Sequence, residues 1–257
     1  MSAPELRTLT VMQWPADPAS YTKAWSTLGE HVAKEQSDFI LFPELPFGDW
    51  LAGSQDVSDA RWDESIEEHR QWIERFGELG VPRIAGTLPN RRDGKRVNTG
   101  FLWKEGSLHE VHDKYYLPDE EGFWEATWYE RGDGSFDLTE KEGLPAGFLI
   151  CTELWFFEQA RHYGRSGANL VLCPRATPDG TRERWLIGAQ TAAICSGSFC
   201  LGSNRGNHPD WAGTGWITGA EDGRLLGVTT DEEPFLSCTI NLAEAQKAQS
   251  TYPRYVR

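Results

Sequence analysis

A layered α/β fold, with helices packed outside two sheets, is the architecture predicted for this chain of 257 residues. Three features lead there. Short apolar runs of strand length alternate with amphipathic helical stripes, the alternation restarts in the second half, and each half ends in hairpins. Strands buried on both faces read as continuous apolar runs, so helices have to cover them. No Pro/Gly/Ser-rich linker divides the chain, so the expectation is one domain over residues 1–257, made of two similar halves without a residue-level repeat.

The elements follow in order. Leu6 to Gln13 reads as a strand, and Tyr21, Trp25, Leu28 and Val32 recur at helical spacing. Phe39 to Phe42 is a buried strand that stops at Pro43-Glu44-Leu45-Pro46, where two prolines fix the backbone around one carboxylate. Trp62, Ile66, His69, Ile73 and Phe76 form a second helical stripe, followed by a strand through Ile84-Ala85-Gly86. Turn signals at Asp93-Gly94 and Glu105-Gly106 mark two hairpins, the second delivering Val111-His112-Asp113-Lys114. Leu117 to Leu144 is acidic and Gly-rich and reads as a long functional loop. The pattern then restarts, with strands at Gly147–Cys151, Asn169–Cys173 and Ser198–Ser203 and helices at Trp155–Arg165 and Thr181–Ser196. A hairpin at Asp222-Gly223 leads to a last strand, Phe235 to Asn241, and the tail Ala243 to Arg257 is apolar enough to pack on a surface.

Composition narrows the function. Lys and Arg number 25 against 39 Asp and Glu, a net charge of −14 that repels phosphate backbones and anionic lipid, so no nucleic-acid partner is expected. The longest uncharged stretch, Leu186 to Asn204, is broken by Gln, Ser and Gly, so no membrane-spanning segment is expected either. The first residues carry no basic-then-apolar leader pattern. Five cysteines (151, 173, 195, 200, 238) show neither C-x-x-C pairing nor metal-ligand spacing, which fits a reducing cytoplasm and no metal site. Twelve tryptophans imply an aromatic core.

Three polar residues stand where strands stop: Glu44 after FILFP, Lys114 after the second hairpin, and Cys151 after GFLI. Strand ends in α/β sheets are where ligand crevices form. Singly, each has an ordinary explanation as a solvated carboxylate, a surface lysine or a small buried hydrophobe. Together they supply what thiol catalysis needs: a base to take the proton, a cation to stabilise thiolate and oxyanion, and the nucleophile. A histidine base on the papain plan is the rival, with His112 beside Lys114 as its candidate.

The segments F-P-E-L-P, D-K-Y-Y-L-P and L-I-C-T-E-L-W-F-F-E-Q-A-R, in that order, resemble the nitrilase superfamily of carbon-nitrogen hydrolases. The resemblance runs from the N-terminal strand to Y-P-R-Y-V and implies an α-β-β-α sandwich with Glu44, Lys114 and Cys151 as a catalytic triad. It also aligns Glu125 with a second glutamate beside the triad, Glu121 and Glu130 being the competing choices, and Ser203-Asn204-Arg205-Gly206 with a packing segment. Glu158 and Arg161, seven and ten residues after Cys151, have the spacing of the amidase and carbamoylase branches, and a structural ion pair is their simplest role. Thr152 stands where nitrilases usually carry Trp, which leans away from nitriles.

What the resemblance implies is hydrolysis of an amide or N-carbamoyl bond in a small molecule through a Cys151 thioester. Lys114 and the Thr152 backbone N–H would hold the oxyanion, and no metal or organic cofactor is expected. Arg175 is placed to clamp a substrate carboxylate, and Trp155 and Trp124 are candidates for the pocket wall. A homodimer or larger assembly is expected, with residues 242–257 at its interface. Nitrile hydrolysis, acyl transfer to an acceptor other than water, and a silent scaffold on the same fold remain the alternatives.

Overall fold

The computed structural model describes residues 5–206, 211 and 213–256. Strand β1 (Leu6–Pro15) is its axis. Along Leu6–Met12 it pairs antiparallel with β13 (Phe235–Asn241), and on its other edge it pairs parallel with β2 (Phe39–Leu41). The ladder continues through β3 (Arg83–Arg92), β4 (Lys95–Lys104) and β5 (Ser107–Asp113). At Gln13–Pro15 the same strand turns to β10 (Phe199–Gly206), whose ladder holds β9 (Leu170–Arg175) and β8 (Ala146–Phe148) on one side. On the other side lie β11 (Trp216–Thr218) and β12 (Leu225–Val228). Two sheets therefore share β1.

Side-chain alternation sorts the layers, because successive residues of a strand point to opposite faces. Leu9, Val11, Phe39 and Leu41 join Phe148, Leu172 and Leu201 in one apolar cluster, while Met12, Trp14, Ile40 and Phe42 join Tyr21, Trp25, Leu28 and Val32 in another. The four last-named residues are the buried stripe of α1 (Tyr21–Glu35), as the spacing predicted. Helix α2 (Asp59–Ile73) buries Trp62, Ser65 and His69 beside it. On the far side α4 (Phe157–Arg165) and α5 (Arg182–Ser196) press Ala160, Tyr163, Ala189, Ala192 and Ala193 onto the other sheet. The result is a helix–sheet–sheet–helix sandwich.

Two local details matter for the site. A Cβ on Gly147 would lie 2.4 Å from the Tyr163 ring, so only glycine lets α4 lie flat on β8, where the Tyr163 hydroxyl donates to the Phe148 carbonyl at 2.8 Å. Both residues of each hairpin turn have positive φ (Asp93 52°, Gly94 79°; Glu105 52°, Gly106 83°), the twist that tight hairpins require. These turns return the chain so that β5 ends at Asp113, immediately before Lys114.

The structure departs from the sequence reading in several places: α2 stops at Ile73, with Phe76 in a separate 3-10 turn, and β8 stops at Phe148, short of Cys151. Residues 117–144 are not all irregular: a two-stranded ladder of β6 (Asp119–Glu120) and β7 (Phe123–Trp124) leads into one helical turn, α3 (Glu125–Trp128). The predicted helix from Trp155 is split, a 3-10 turn at Cys151–Trp155 preceding α4. In the tail, α6 (Leu242–Ala248) buries Leu242, Ala245 and Ala248 against its own chain, leaving Tyr252, Tyr255 and Val256 exposed. Among the described residues no helix is long and apolar enough to cross a membrane.

Candidate active site

Glu44, Lys114 and Glu125 meet at the ends of β2, β5 and β7, all fully buried. The Lys114 ammonium donates to Glu44 Oε1 at 2.8 Å and to Glu125 Oε2 at 2.5 Å. Asn98, inside β4, donates its amide to the same Glu44 oxygen at 2.8 Å, and the Tyr129 hydroxyl donates to Glu125 Oε2. Each carboxylate keeps one buried oxygen, Glu44 Oε2 and Glu125 Oε1, with no hydrogen-bond partner. Such orphans are costly in a folded core and mark where a reacting group is to bind.

Cys151 opens its 3-10 turn at φ +48°, a left-handed conformation rare for a residue with a side chain. Backbone strain of this kind concentrates at functional sites because surrounding structure must enforce it. Here it lifts the thiol off the end of the strand, with Sγ 3.8 Å from the Ala176 carbonyl. Thr152 is the second residue of that turn, and the first N–H groups of a helical turn have no acceptor within it, which leaves them free for an oxyanion.

The charges explain one another. Burial alone would strip Lys114 of its proton, but Glu125 and Glu44 outweigh burial and hold its pKa above the ordinary lysine value. Burial and the nearby Glu44 carboxylate push the Cys151 thiol well above its usual range despite the pull of Lys114. At rest Cys151 is thus a neutral thiol, which would need a base to ionise. Burial, reinforced by the charge of Glu44 and only partly offset by Lys114, raises Glu125 to about 7. Two carboxylates against one ammonium carry surplus negative charge, and a shared proton relieves it.

A second set of contacts fixes the loops that carry these groups. After Glu44, Leu45 sits at φ +43°, its N–H donating to Thr87 Oγ1 at 2.8 Å. The buried Arg205 donates to the carbonyls of Leu45 at 2.7 Å and Gly48 at 2.8 Å. His69 accepts the Phe47 N–H on Nε2 at 3.3 Å while its Nδ1 bonds the Ser65 carbonyl, and burial pushes its pKa down to about 3, so the ring stays neutral. Ser203 donates to the Leu41 carbonyl at 2.6 Å, and Asn204 ties Thr177 to the Gly213 carbonyl. The Ser203–Gly206 segment therefore positions the Glu44 loop as well as packing.

His112 does not face the thiol. Its Nε2 lies 2.9 Å from Glu153 Oε2, and Glu153, fully buried, also accepts the N–H of Ile150 at 2.8 Å and of Tyr115 at 2.7 Å. The histidine-base rival has no geometry to support it. Glu121 and Glu130 are exposed, which leaves Glu125 as the second glutamate of the site. Glu158 is exposed and forms no ion pair with Arg161, which instead donates to the Val256 carbonyl.

Arg175 is fully buried at the end of β9. It donates to Thr177 Oγ1 and to the carbonyls of Thr214 and Gly213, and its guanidinium lies 4.3 Å from the Trp216 ring centre and 5.7 Å from that of Trp185. Its Nε–H has no partner, and among the described residues no carboxylate lies within salt-bridge distance. Burial lowers its pKa to about 10, still charged at neutral pH. Trp155 packs on Trp185 at 5.1 Å, and Trp124 packs with Leu51, Trp62, Trp128 and Tyr129, immediately before Glu125. Asn98, Tyr129 and Glu153 escaped sequence reasoning, and Arg205 was read only as part of a packing segment. The available signals were an Asn inside a strand, where Asn is disfavoured, and an acid two residues after the cysteine. No cluster of three or more metal-ligating side chains occurs among the described residues.

Known proteins resemble this chain in sequence and in fold. The chain is 25% identical to a 2-oxoglutaramate amidase of Bacillus subtilis (94% of this chain, 96% of the relative). It is 24% identical to a citrullinase of Francisella tularensis (84% and 82%). A carbon-nitrogen hydrolase from Helicobacter pylori superposes with a TM-score of 0.84 at 20% identity, covering 97% of this chain and 94% of that one. A variant of an amidase from Nesterenkonia sp. AN1, whose active-site cysteine carries the acetamide moiety of fluoroacetamide, superposes with a TM-score of 0.75 at 21% identity, covering 96% and 94%. The carbon-nitrogen hydrolase family model matches residues 6–248, and with the sandwich and the buried carboxylate–lysine–cysteine set in place, the chain belongs to that family.

Proposed function

We propose that the protein hydrolyses a non-peptide C–N bond, of an amide or N-carbamoyl group, through a Cys151 thioester. The observation that carries this reading is the orphaned Oε2 of Glu44, whose other oxygen is pinned by Lys114 and Asn98. It is the acceptor for the thiol proton. As sulfur bonds to the carbonyl carbon, the oxygen takes the negative charge and is held by Lys114 and the Thr152 N–H. Collapse breaks the C–N bond, and the proton on Glu44 passes to the departing nitrogen. Water, deprotonated by the same carboxylate, attacks the thioester carbonyl; the C–S bond then breaks and Glu44 returns the proton to sulfur, with Glu125 orienting substrate, Lys114 or the water.

For the substrate, the buried guanidinium of Arg175, without a carboxylate partner among the described residues, favours an anionic molecule. Trp155 and Trp124 are its proposed apolar neighbours. The two enzymes named above, one acting on an amide and one named citrullinase, keep amide and carbamoyl substrates both in view. The reading includes a cytoplasmic homodimer or larger assembly built on the tail and α5, supported by exposed Ile187, Tyr252, Tyr255 and Val256; light scattering tests it.

The functional test is ammonia release from primary amides, ω-amides, N-carbamoyl amino acids and nitriles, with Cys151→Ala protein run in parallel. Turnover of an amide or carbamoyl class by the unmutated protein alone is the expected result. Turnover confined to nitriles would overturn the substrate class. Silence across all classes, with Cys151 inert to iodoacetamide, would leave a scaffold.

A further inference from the structure

His112 is faced by acceptors on both ring nitrogens. Nδ1 lies 3.0 Å from the Ser135 carbonyl, and Nε2 lies 2.9 and 3.1 Å from the two oxygens of Glu153. A neutral imidazole has one N–H, so one of these contacts would set lone pair against lone pair. Both are satisfied when the ring is an imidazolium and Glu153 a carboxylate. The carboxylate in turn collects one N–H from each side of the site: Ile150, directly before Cys151, and Tyr115, directly after Lys114.

We propose that His112 and Glu153 form an imidazolium–carboxylate strut that sets the nucleophile turn against the lysine strand, and that the proton on His112 is required for the thiol to react. The strut deepens the hydrolase reading and rests on its pairing of Cys151 with Lys114. His112 and Glu153 are positioning residues, since neither reaches the sulfur.

The surroundings support a charged ring. From the nucleophile turn His112 faces Glu153; from its own strand it borders Asp113, which Arg92 and Thr99 engage; from residues 133–136 come the Asp133 carboxylate, the Ser135 carbonyl and the Phe136 ring at 4.8 Å. Burial would lower the histidine pKa, but the charge and hydrogen bond of Glu153 and the Ser135 carbonyl outweigh it and raise the value above 6.5. That direction agrees with the two acceptors, the Ser135 carbonyl and the Glu153 carboxylate, that face the ring nitrogens. A surface cleft of about 560 Å³ has His112 among its lining residues, with Arg92, Glu130, Arg131 and Asp133.

Two measurements test the strut, and neither needs the substrate. In ¹⁵N-histidine-labelled unmutated protein, the His112 ring, assigned by its loss in His112→Gln, is expected to carry protons on both nitrogens at pH 7. A neutral ring there overturns the proposal. In iodoacetamide labelling at pH 7, His112→Gln and Glu153→Gln proteins with unchanged circular dichroism are expected to alkylate Cys151 slower by about tenfold or more, as misplacement of a reacting group does. Gln at 112 can still donate one hydrogen bond, so alkylation at the unmutated rate shows that charge is not needed and overturns the strut. Slowed alkylation in a protein that turns over no amide or carbamoyl compound leaves the strut standing and removes the hydrolase reading. Unchanged alkylation with amide turnover intact removes the strut alone.

Discussion

Lys114→Met isolates the electrostatics of the site. The substitution keeps most of the side-chain length and removes the ammonium that lies 2.8 Å from Glu44 and 2.5 Å from Glu125. At an effective dielectric of about 20, each of those contacts is an attraction of about 6 kcal/mol. The variant does not lose that whole amount, because an unpaired buried carboxyl escapes by binding a proton. Holding a carboxyl protonated costs about 1.4 kcal/mol for each pH unit above its ordinary value of 4.5. Glu125 already titrates near 7 in the parent, so one extra proton on the carboxyl pair separates variant from parent below that pH. A carboxyl raised on folding contributes stability that is present in acid and lost as pH rises. The deficit is therefore about 1 kcal/mol near pH 5 and about 3 kcal/mol near pH 7, the latter at the low end of the range for breaking a buried ion pair. Urea unfolding followed by tryptophan fluorescence measures it. A deficit that stays constant over that pH range refutes the reasoning, because it would mean that the carboxyls take up no proton when the lysine is gone.

Other outcomes follow from the same contacts. Cys151→Ala should abolish turnover and iodoacetamide labelling at position 151 while costing only about 1 kcal/mol of stability in urea unfolding, so a loss of several kcal/mol would assign the inactivity to misfolding. Glu44→Gln should lower kcat by about 10²–10⁴-fold with little change in KM; an unchanged kcat would remove it as the base. Because Glu125 titrates at about 7, kcat against pH should inflect there, and Glu125→Gln should erase the inflection. Arg205→Met strips donors from the buried Leu45 and Gly48 carbonyls, at about 1–3 kcal/mol each, and should reduce kcat more than it raises KM. Equal effects on both would assign it to packing alone.

What could be read from the chain depended on how local the cause was. The α1 stripe and the last strand are set by residues a few positions apart, and the structure keeps them at Tyr21, Trp25, Leu28, Val32 and at Phe235–Asn241. Glu44, Lys114 and Cys151 were legible because each interrupts an apolar or alternating run at a strand end. Glu125 needed the family resemblance, since acidic residues surround it in the same stretch and only the β6–β7 ladder selects which one points inward. Asn98, Arg205 and Glu153 were harder still. Their partners lie 54, 160 and 38 residues away in the chain, and no periodicity announces a contact of that range. Glu158 shows the converse: its family spacing was visible, yet its side chain is exposed and unpaired with Arg161.

The dual membership of β1 bears on how the chain acquires its structure during synthesis. Strand β1 can bond β2 early, but its remaining edges wait for β10 and β13, which begin at Phe199 and Phe235. Until then Leu9, Val11, Met12 and Trp14 lack part of the cover they have in the finished molecule. A chain made only as far as residue 198 can thus assemble neither sheet in full, and β1, which lies beside β13 in space but far from it in sequence, keeps an uncovered edge until β13 has been made.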